Sequence, residues 1–540
     1  MSGSSTKPKQ KVFVREATGL VRELSTFDAV AINWSGETLA TGLIAFFLYA
    51  YLFPGADLVL AMIISVIGFI PLSITYAMSL AAMPRSGGDY VFISRSLHPS
   101  LGFMLLLSVN VWFAFYSGAF ANWIFTIGLS PTLSVIGSIL NDASISALSA
   151  TLSTPLVATI GGAIAIILTA VIAIVSSKWT SRLMGIMIGI GVLSVLAIGV
   201  VLFGSTNAQF HAAFNTFSSP YSNSTDYYST ILSNASNAGF TQPGFSWSDT
   251  IAMVPFGAYI FLYISEMQAA GGEIKRVQKN SYYASLITIL GGGLVAIAVA
   301  AAFENTITLK FANAVSYAYV NGAGYVLPVS PTYNFLASLL TRSIPELWLL
   351  NIGFVTTSIA LLLMYYMFTP RYFLASAFDR MMPEKLANVS DRFHSPYVAI
   401  IVAMIFALIT LPIYSYYATI LATLSAVLGE LVFGYLVFGI ATIIFPYAKQ
   451  TKAIYKSSTI NISVGGVPLI TILGILNSVF LAYLGYLLFV NPAYGVNSTV
   501  SIVAVLLVAA AAPIWYFARK AQLKTKGLDL AMVFAEIPPE

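Results

Sequence analysis

The chain has 540 residues, 58% hydrophobic and only 8% charged, with a mean hydropathy of +0.85. Soluble domains carry about a quarter of their residues charged, so this composition excludes a soluble globular fold and requires an integral membrane protein. With no cysteine, disulfides, thiolate metal sites and a catalytic thiol are excluded, while the net charge of +5 fits either a nucleic-acid partner or membrane topology until its placement is read.

Residues 1–26 are basic and polar, with no short apolar stretch leading to a small-residue cleavage site, so they read as a cytoplasmic tail rather than a signal peptide. Beyond them, at about 20 apolar residues per crossing, twelve spans are expected. They lie at 27–53, 56–82, 101–130, 155–175, 181–203, 249–270, 283–303, 347–370, 396–414, 417–445, 467–490 and 499–517. An even number places both termini on one side. Span one is unusual: "AINWSGETLATG" sets Asn33, Ser35, Glu37, Thr38 and Thr41, with Gly36 and Gly42, inside a hydrophobic segment. Lipid offers no partner to a carboxylate or a free amide, so this run must face protein, water or a ligand. Span six repeats the theme with Pro255 and Gly257, then Ser265 and Glu266 ahead of a double glycine. Interrupted helices at corresponding positions of two halves point to a secondary transporter built from inverted repeats.

Basic residues test the span count. With the N-terminus inside, all but Lys310 and Arg342 of the 25 lysines and arginines fall in inner segments. Such a bias predicts cytoplasmic termini and makes the basic charge topological, which removes the nucleic-acid reading. The outer connections, including 204–248, are rich in Ser, Thr, Asn and Tyr. Asn223, Asn234 and Asn497 occupy N-x-[ST] triplets on that face and are candidate glycosylation sites, although Asn388 and Asn461 carry the same triplet on the inner side. The three histidines, His98, His211 and His394, all fall in connections, which excludes an intramembrane histidine metal centre.

Three inner segments carry motifs: "AAMPRSGGDYVFISRSLHP" after span two, "GGEIKRVQKN" after span six and "TPRYFLASAFDRMMPEKLANVSDRFHSP" after span eight. Together they resemble the amino acid, polyamine and organocation (APC) superfamily of transporters, and the resemblance covers spans one to ten. It implies an all-α membrane fold with a five-plus-five inverted repeat, discontinuous helices in spans one and six, and two additional helices. The corresponding units are 27–203 and 249–445, followed by accessory spans in 446–517 and a cytoplasmic tail at 518–540. It also implies a substrate site at the unwound stretches, lined by spans three, eight and ten.

On that resemblance, Ala40, Thr41 and Gly42 match the family's unwound pattern. They would present free N–H groups and a positive helix end to a substrate carboxylate. Glu37 and Thr38 close the first half-helix, whose negative end suits an ammonium group, Na⁺ or a proton. Tyr259 matches an aromatic cap over the substrate. Phe256, Gly257, Ala258 and Ile260 would offer backbone carbonyls to the amine. Candidate coupling residues are Glu37, Glu266 and Glu430, together with Thr356, Thr357 and Ser358, where Thr357 could complete a Na⁺ site. Each acid could instead be a structural hydrogen-bonding group, and each hydroxyl could satisfy its own helix. In span three, Asn110, Trp112, Tyr116, Ser117 and Asn122 are candidates for side-chain specificity or for packing. Arg85, Gly87, Gly88, Arg371 and Asp379 are assigned to the inner gate and loops.

The expected activity is secondary active transport of amino acids or similar small amines by alternating access, coupled to H⁺ or Na⁺ or running as exchange, with no cofactor. A sensor or channel on the same fold remains the alternative. A membrane enzyme lacks a thiol, an intramembrane histidine or an acid cluster on one span. No phosphate-binding loop of the G-x-x-x-x-G-K-[ST] type occurs, which speaks against primary pumping.

Overall fold

The structure, a computed structural model, describes residues 20–417 and 426–535, and within span ten its side chains from Val432 onward. Among the described residues eleven helices are long and apolar enough to cross a membrane, and almost no strand is present. They are span one (Thr26–Leu52), two (Leu58–Ala82), three (Pro99–Leu140), four (Pro155–Val175), five (Ser177–Phe203), six (Trp247–Gln268), seven (Val277–Thr306), eight (Ile344–Phe378), nine (Tyr397–Tyr416), eleven (Leu469–Val490) and twelve (Thr499–Thr525). Span ten is seen as the helix Ala426–Ile444, and the rest of its expected length lies outside the described residues.

Local signals start these helices. Ser25 and Asp28 form a reciprocal capping box at span one, and the Asp57, Ser176 and Ser246 side chains accept backbone N–H bonds at the heads of spans two, five and six. Proline stands in the first turn of spans three, four and eight, where its missing N–H costs nothing.

Burial separates centre from periphery. In the most apolar stretch of each helix, 83% of span six and 67% of spans one and eight is buried, against 22% of span twelve and 28% of span eleven. Span one packs on spans five and seven, span six on span two, span eight on span five, and span nine on spans three and four. Spans ten and eleven pair outside this group. The central pair is therefore the one that carries the polar interruptions.

The polar connection 204–248 is more ordered than its composition suggests. Helices Asn207–Ser218 and Tyr227–Asn237 pack with Leu309–Val320, and Tyr228 stacks on Phe311 with centroids 4.0 Å apart. This cap sits at the membrane face opposite the N-terminal segment.

Candidate functional site

Span one breaks at Glu37 and Thr38. Its first half-helix ends at Gly36, Thr38 takes left-handed dihedrals (φ 36°, ψ 34°), and a second half-helix runs from Leu39 to Leu48. For a residue with a side chain this conformation costs about 1–2 kcal/mol. An interaction 221 residues away holds it: the Thr38 hydroxyl donates to the Tyr259 carbonyl at 2.5 Å. That hydroxyl therefore leaves the new helix uncapped, and the N–H groups of Leu39, Ala40 and Thr41 have no acceptor within their helix.

The break thus falls just before Ala40-Thr41-Gly42 and not within it. Gly42 donates to the Thr38 carbonyl at 2.6 Å and closes the first turn. Its lack of a side chain serves close packing, because a Cβ there would stand 2.7 Å from the Ile260 side chain. Gly36 does the same job in the first half-helix, where a Cβ would run into the Tyr263 carbonyl. Both glycines let span one cross span six at backbone distance.

Span six is helical from Trp247 to Phe261, straight through Pro255, and then gives way to turns and the short tight helices Glu266–Gln268 and Gly271–Glu273. Its interruption consequently lies beyond Phe256, Gly257 and Ala258. The Ala258 carbonyl accepts from Leu262, the Tyr259 carbonyl is taken by Thr38, and Ile260 packs against Gly42. Gly257 faces span two, where a Cβ would strike Ser65. The expectation of free carbonyls is corrected for Phe256, Gly257 and Ala258, which lie inside the helix or are bonded at its end, while Ile260 falls in the last turn, where helix carbonyls have no partner within the helix.

A cavity of about 680 Å³ adjoins the crossing. It reaches from Thr38, Thr41 and Gly42 to Tyr319 and Pro492–Gly495, in connections at the face opposite the N-terminal segment. Of the sequence candidates, Thr38, Thr41, Gly42, Phe256, Tyr259 and Tyr116 line it, while Glu37, Ala40, Gly257, Ala258 and Ile260 do not. Tyr49, Phe113, Phe120, Trp123, Tyr263, Tyr414 and Tyr494 also line it, and none was singled out from sequence. A signal for three of them existed: Phe113, Tyr116, Phe120 and Trp123 recur at steps of three and four, one helix face of span three. The other span-three candidates turn elsewhere. Asn110 and Ser117 bond carbonyls of their own helix, Asn122 bonds Ser415, and Trp112 is buried.

The two central acids lie behind the cavity wall. Glu37 is fully buried, neither carboxylate oxygen has a partner among the described residues, and it points at the triple glycine of span seven, where a Cβ on Gly292 would collide with it. The expectation that Glu37 faces the substrate cavity is corrected: its carboxyl group occupies the niche left by Gly292 of span seven, away from the cavity. Asn33, one helical turn earlier, is also buried with both amide atoms unpartnered. Spans one and seven meet through contacts from Thr26 to Asn280 and from Trp34 to Gly291, and in span seven the buried Thr288 hydroxyl is also unpartnered. Glu266 is buried on the other side of Gly36, and its two oxygens also lack partners.

The span-eight hydroxyls do not converge. Thr356 bonds the Gly353 carbonyl at 3.3 Å, Thr357 packs on Gly191 of span five, and the buried Ser358 hydroxyl is unpartnered. Consecutive residues on a helix point about 100° apart, so the three hydroxyls meet different surroundings. The side chain of Glu430 lies outside the described residues.

At the N-terminal face the same helices are closed by paired charges. Arg371 of span eight grips Glu273 through two bonds of 2.6 and 3.0 Å and reaches Ser177 of span five at 2.9 Å. The Glu273 carbonyl accepts from Leu24, and Leu24 in turn accepts from Lys275, which ties the head of span one to the end of span six. Arg95 holds Asp379 through bonds of 2.6 and 2.8 Å, with Tyr90 adding a third at 2.9 Å. All four charged groups are at most 3% exposed. Beside them, Asp89 accepts from the hydroxyls of Tyr76 and Tyr372 and from the Tyr90 N–H, and burial pushes its carboxyl up to about 6.

Two broken helices crossing at mid-bundle, a cavity beside them and a sealed opposite end define a multi-pass membrane transport protein. A family model described as amino acid permease matches residues 24–511. The chain belongs to that family, and its activity is amino acid transport. Comparison with curated proteins finds no match.

Proposed function

We propose that the protein is a secondary active transporter that moves amino acids by alternating access, with both termini cytoplasmic. Residues 27–203 and 249–445 act as the two inverted repeats, and 446–517 as accessory helices. One observation carries this reading: the cavity reaches one membrane face while buried Arg371–Glu273 and Arg95–Asp379 pairs close the other. A channel needs a continuous path, whereas one open and one sealed end are what an alternating carrier requires.

Substrate carboxylate would sit at the uncapped head of the second half-helix, against the N–H groups of Leu39, Ala40 and Thr41 and the Thr41 hydroxyl. The amine would lie toward the last-turn carbonyls of span six, at Ile260 and Phe261. For coupling, H⁺ is favoured over Na⁺. Glu37 and Glu266 are buried beside the crossing with no side-chain or backbone partner among the described residues, a setting in which a carboxyl group can take up and hand on a proton. Thr357, the candidate for completing a Na⁺ site, lies against Gly191 of span five.

Uptake of labelled amino acids into proteoliposomes under imposed H⁺ or Na⁺ gradients tests this reading. Accumulation above equilibrium under an inward H⁺ gradient is expected. Downhill flux alone would place the protein among channels, and binding without flux among sensors.

A further inference from the structure

The cavity carries information about the substrate side chain that the family assignment does not. Among the described residues that line it there is no Asp, Glu, Lys, Arg or His. A charged substrate side chain would lose its water there without gaining a counter-charge, which is strongly unfavourable. The carboxyl groups of Glu37 and Glu266 are turned away from the cavity and do not supply one.

What lines it instead is two aromatic walls. One belongs to spans three and nine: Tyr116 and Phe120 are stacked 5.8 Å apart at 18°, and Trp123 donates its indole N–H to the Tyr414 hydroxyl at 2.7 Å. The facing wall belongs to spans one and six, where Tyr49 stacks on Phe256 at 5.7 Å and Phe256 on Tyr259 at 6.2 Å. Each wall fixes its own rings before any ligand arrives, so little ordering cost is left for binding. A volume of about 680 Å³ lies in the range of pockets that enclose sizeable organic molecules, and a side chain as small as a methyl group would leave most of it unfilled.

We propose that the transported substrate is a zwitterionic amino acid with a bulky, uncharged, aromatic side chain, seated between these walls. The inference rests on the transporter reading above and deepens it. Its ring would make offset or edge contacts with both walls at once, at the 4.5–7 Å spacing that aromatic pairs prefer. Because one wall is carried by spans one and six and the other by spans three and nine, the substrate ring is also what would bridge the two groups of helices as the cavity closes. An aromatic box can equally hold a quaternary ammonium ion. The uncapped N–H groups beside Thr41 favour a ligand that also carries a carboxylate.

The test is uptake by the full chain in proteoliposomes of labelled tryptophan, leucine, alanine, lysine, glutamate and choline, each offered alone. Tryptophan should exceed alanine in kcat/KM by about tenfold or more, the weight of one added aromatic contact, and lysine, glutamate and choline should fail. Trp123→Ala should raise KM for tryptophan by about tenfold. Trp123→Phe, which keeps a ring and loses the bond to Tyr414, should recover most of that loss, separating loss of the ring from misfolding. A preference for leucine, alanine, a charged amino acid or choline overturns the proposal and leaves the transporter reading standing. No uptake of any probe by monodisperse protein overturns both.

Discussion

The N-terminal-face seal and the crossing of spans one and six bury carboxylates in opposite ways. At the seal, Glu273 and Asp379 each meet a guanidinium through two bonds. At the crossing, Glu37 lies against Gly292 and Glu266 against Gly36, and neither carboxyl group has a hydrogen-bond partner among the described residues. Desolvation penalises every buried charge, and only a well-placed counter-charge offsets it. The difference teaches that the seal is a lock made of paired opposite charges. On the proposed reading, the unpaired acids of the crossing are where a transported proton would be held.

The largest effect should come from breaking the lock. Arg371→Ala leaves Glu273 buried and unpaired, and removal of one partner of a buried pair costs about 3–5 kcal/mol. Thermal unfolding in detergent should shift down strongly, and protease cleavage near residues 270–276 should accelerate. An unchanged melting temperature would mean that the pair does not hold the seal.

A smaller effect is expected at the crossing. Gly292→Ala places a methyl group where the Glu37 carboxyl group lies, and overpacking of this kind costs about 1–3 kcal/mol. Since the clash is with that one side chain, adding Glu37→Ala should restore most of the loss. Simple additivity of the two changes would show that Glu37 does not occupy the glycine niche.

The smallest effect is a slope with pH at the seal. Asp89, pushed up to about 6 by burial, holds a proton more tightly folded than unfolded, where carboxyls titrate near 4. Its contribution is therefore fully present below about pH 4 and lost as pH rises through about 6. Between pH 5 and 7 the wild type should lose stability faster than Asp89→Asn, read as melting temperature against pH. Parallel curves would remove Asp89 from the titrating groups.

Much of the fold is legible in the amino-acid order because apolar length and basic flanks are local properties. The polar run of span one likewise announces a break, yet not its residue. Thr38 turns left-handed because its hydroxyl reaches Tyr259, 221 residues away, and no window on the sequence contains both. The Arg371–Glu273 pair is hidden for the same reason, as is the orientation of Glu37, whose carboxyl group fits the niche at Gly292 of span seven. The cap helices are a different omission. Thr206 and Gln209 form a capping box that could have been read locally, while the Ser- and Asn-rich composition suggested only loop. In span three the aromatic face was visible at helical spacing, and only packing distinguishes a cavity wall from ordinary core.

The central claim is that a proton held at the crossing drives amino acid transport, and Glu37→Gln tests it most directly. Glutamine keeps the shape and cannot release a proton, so the variant should fold, bind substrate and exchange it across proteoliposomes. Accumulation driven by an inward H⁺ gradient should fall to the equilibrium level, and the pH dependence of uptake should flatten. Accumulation and pH dependence equal to wild type in Glu37→Gln, and again in Glu266→Gln, would contradict the account.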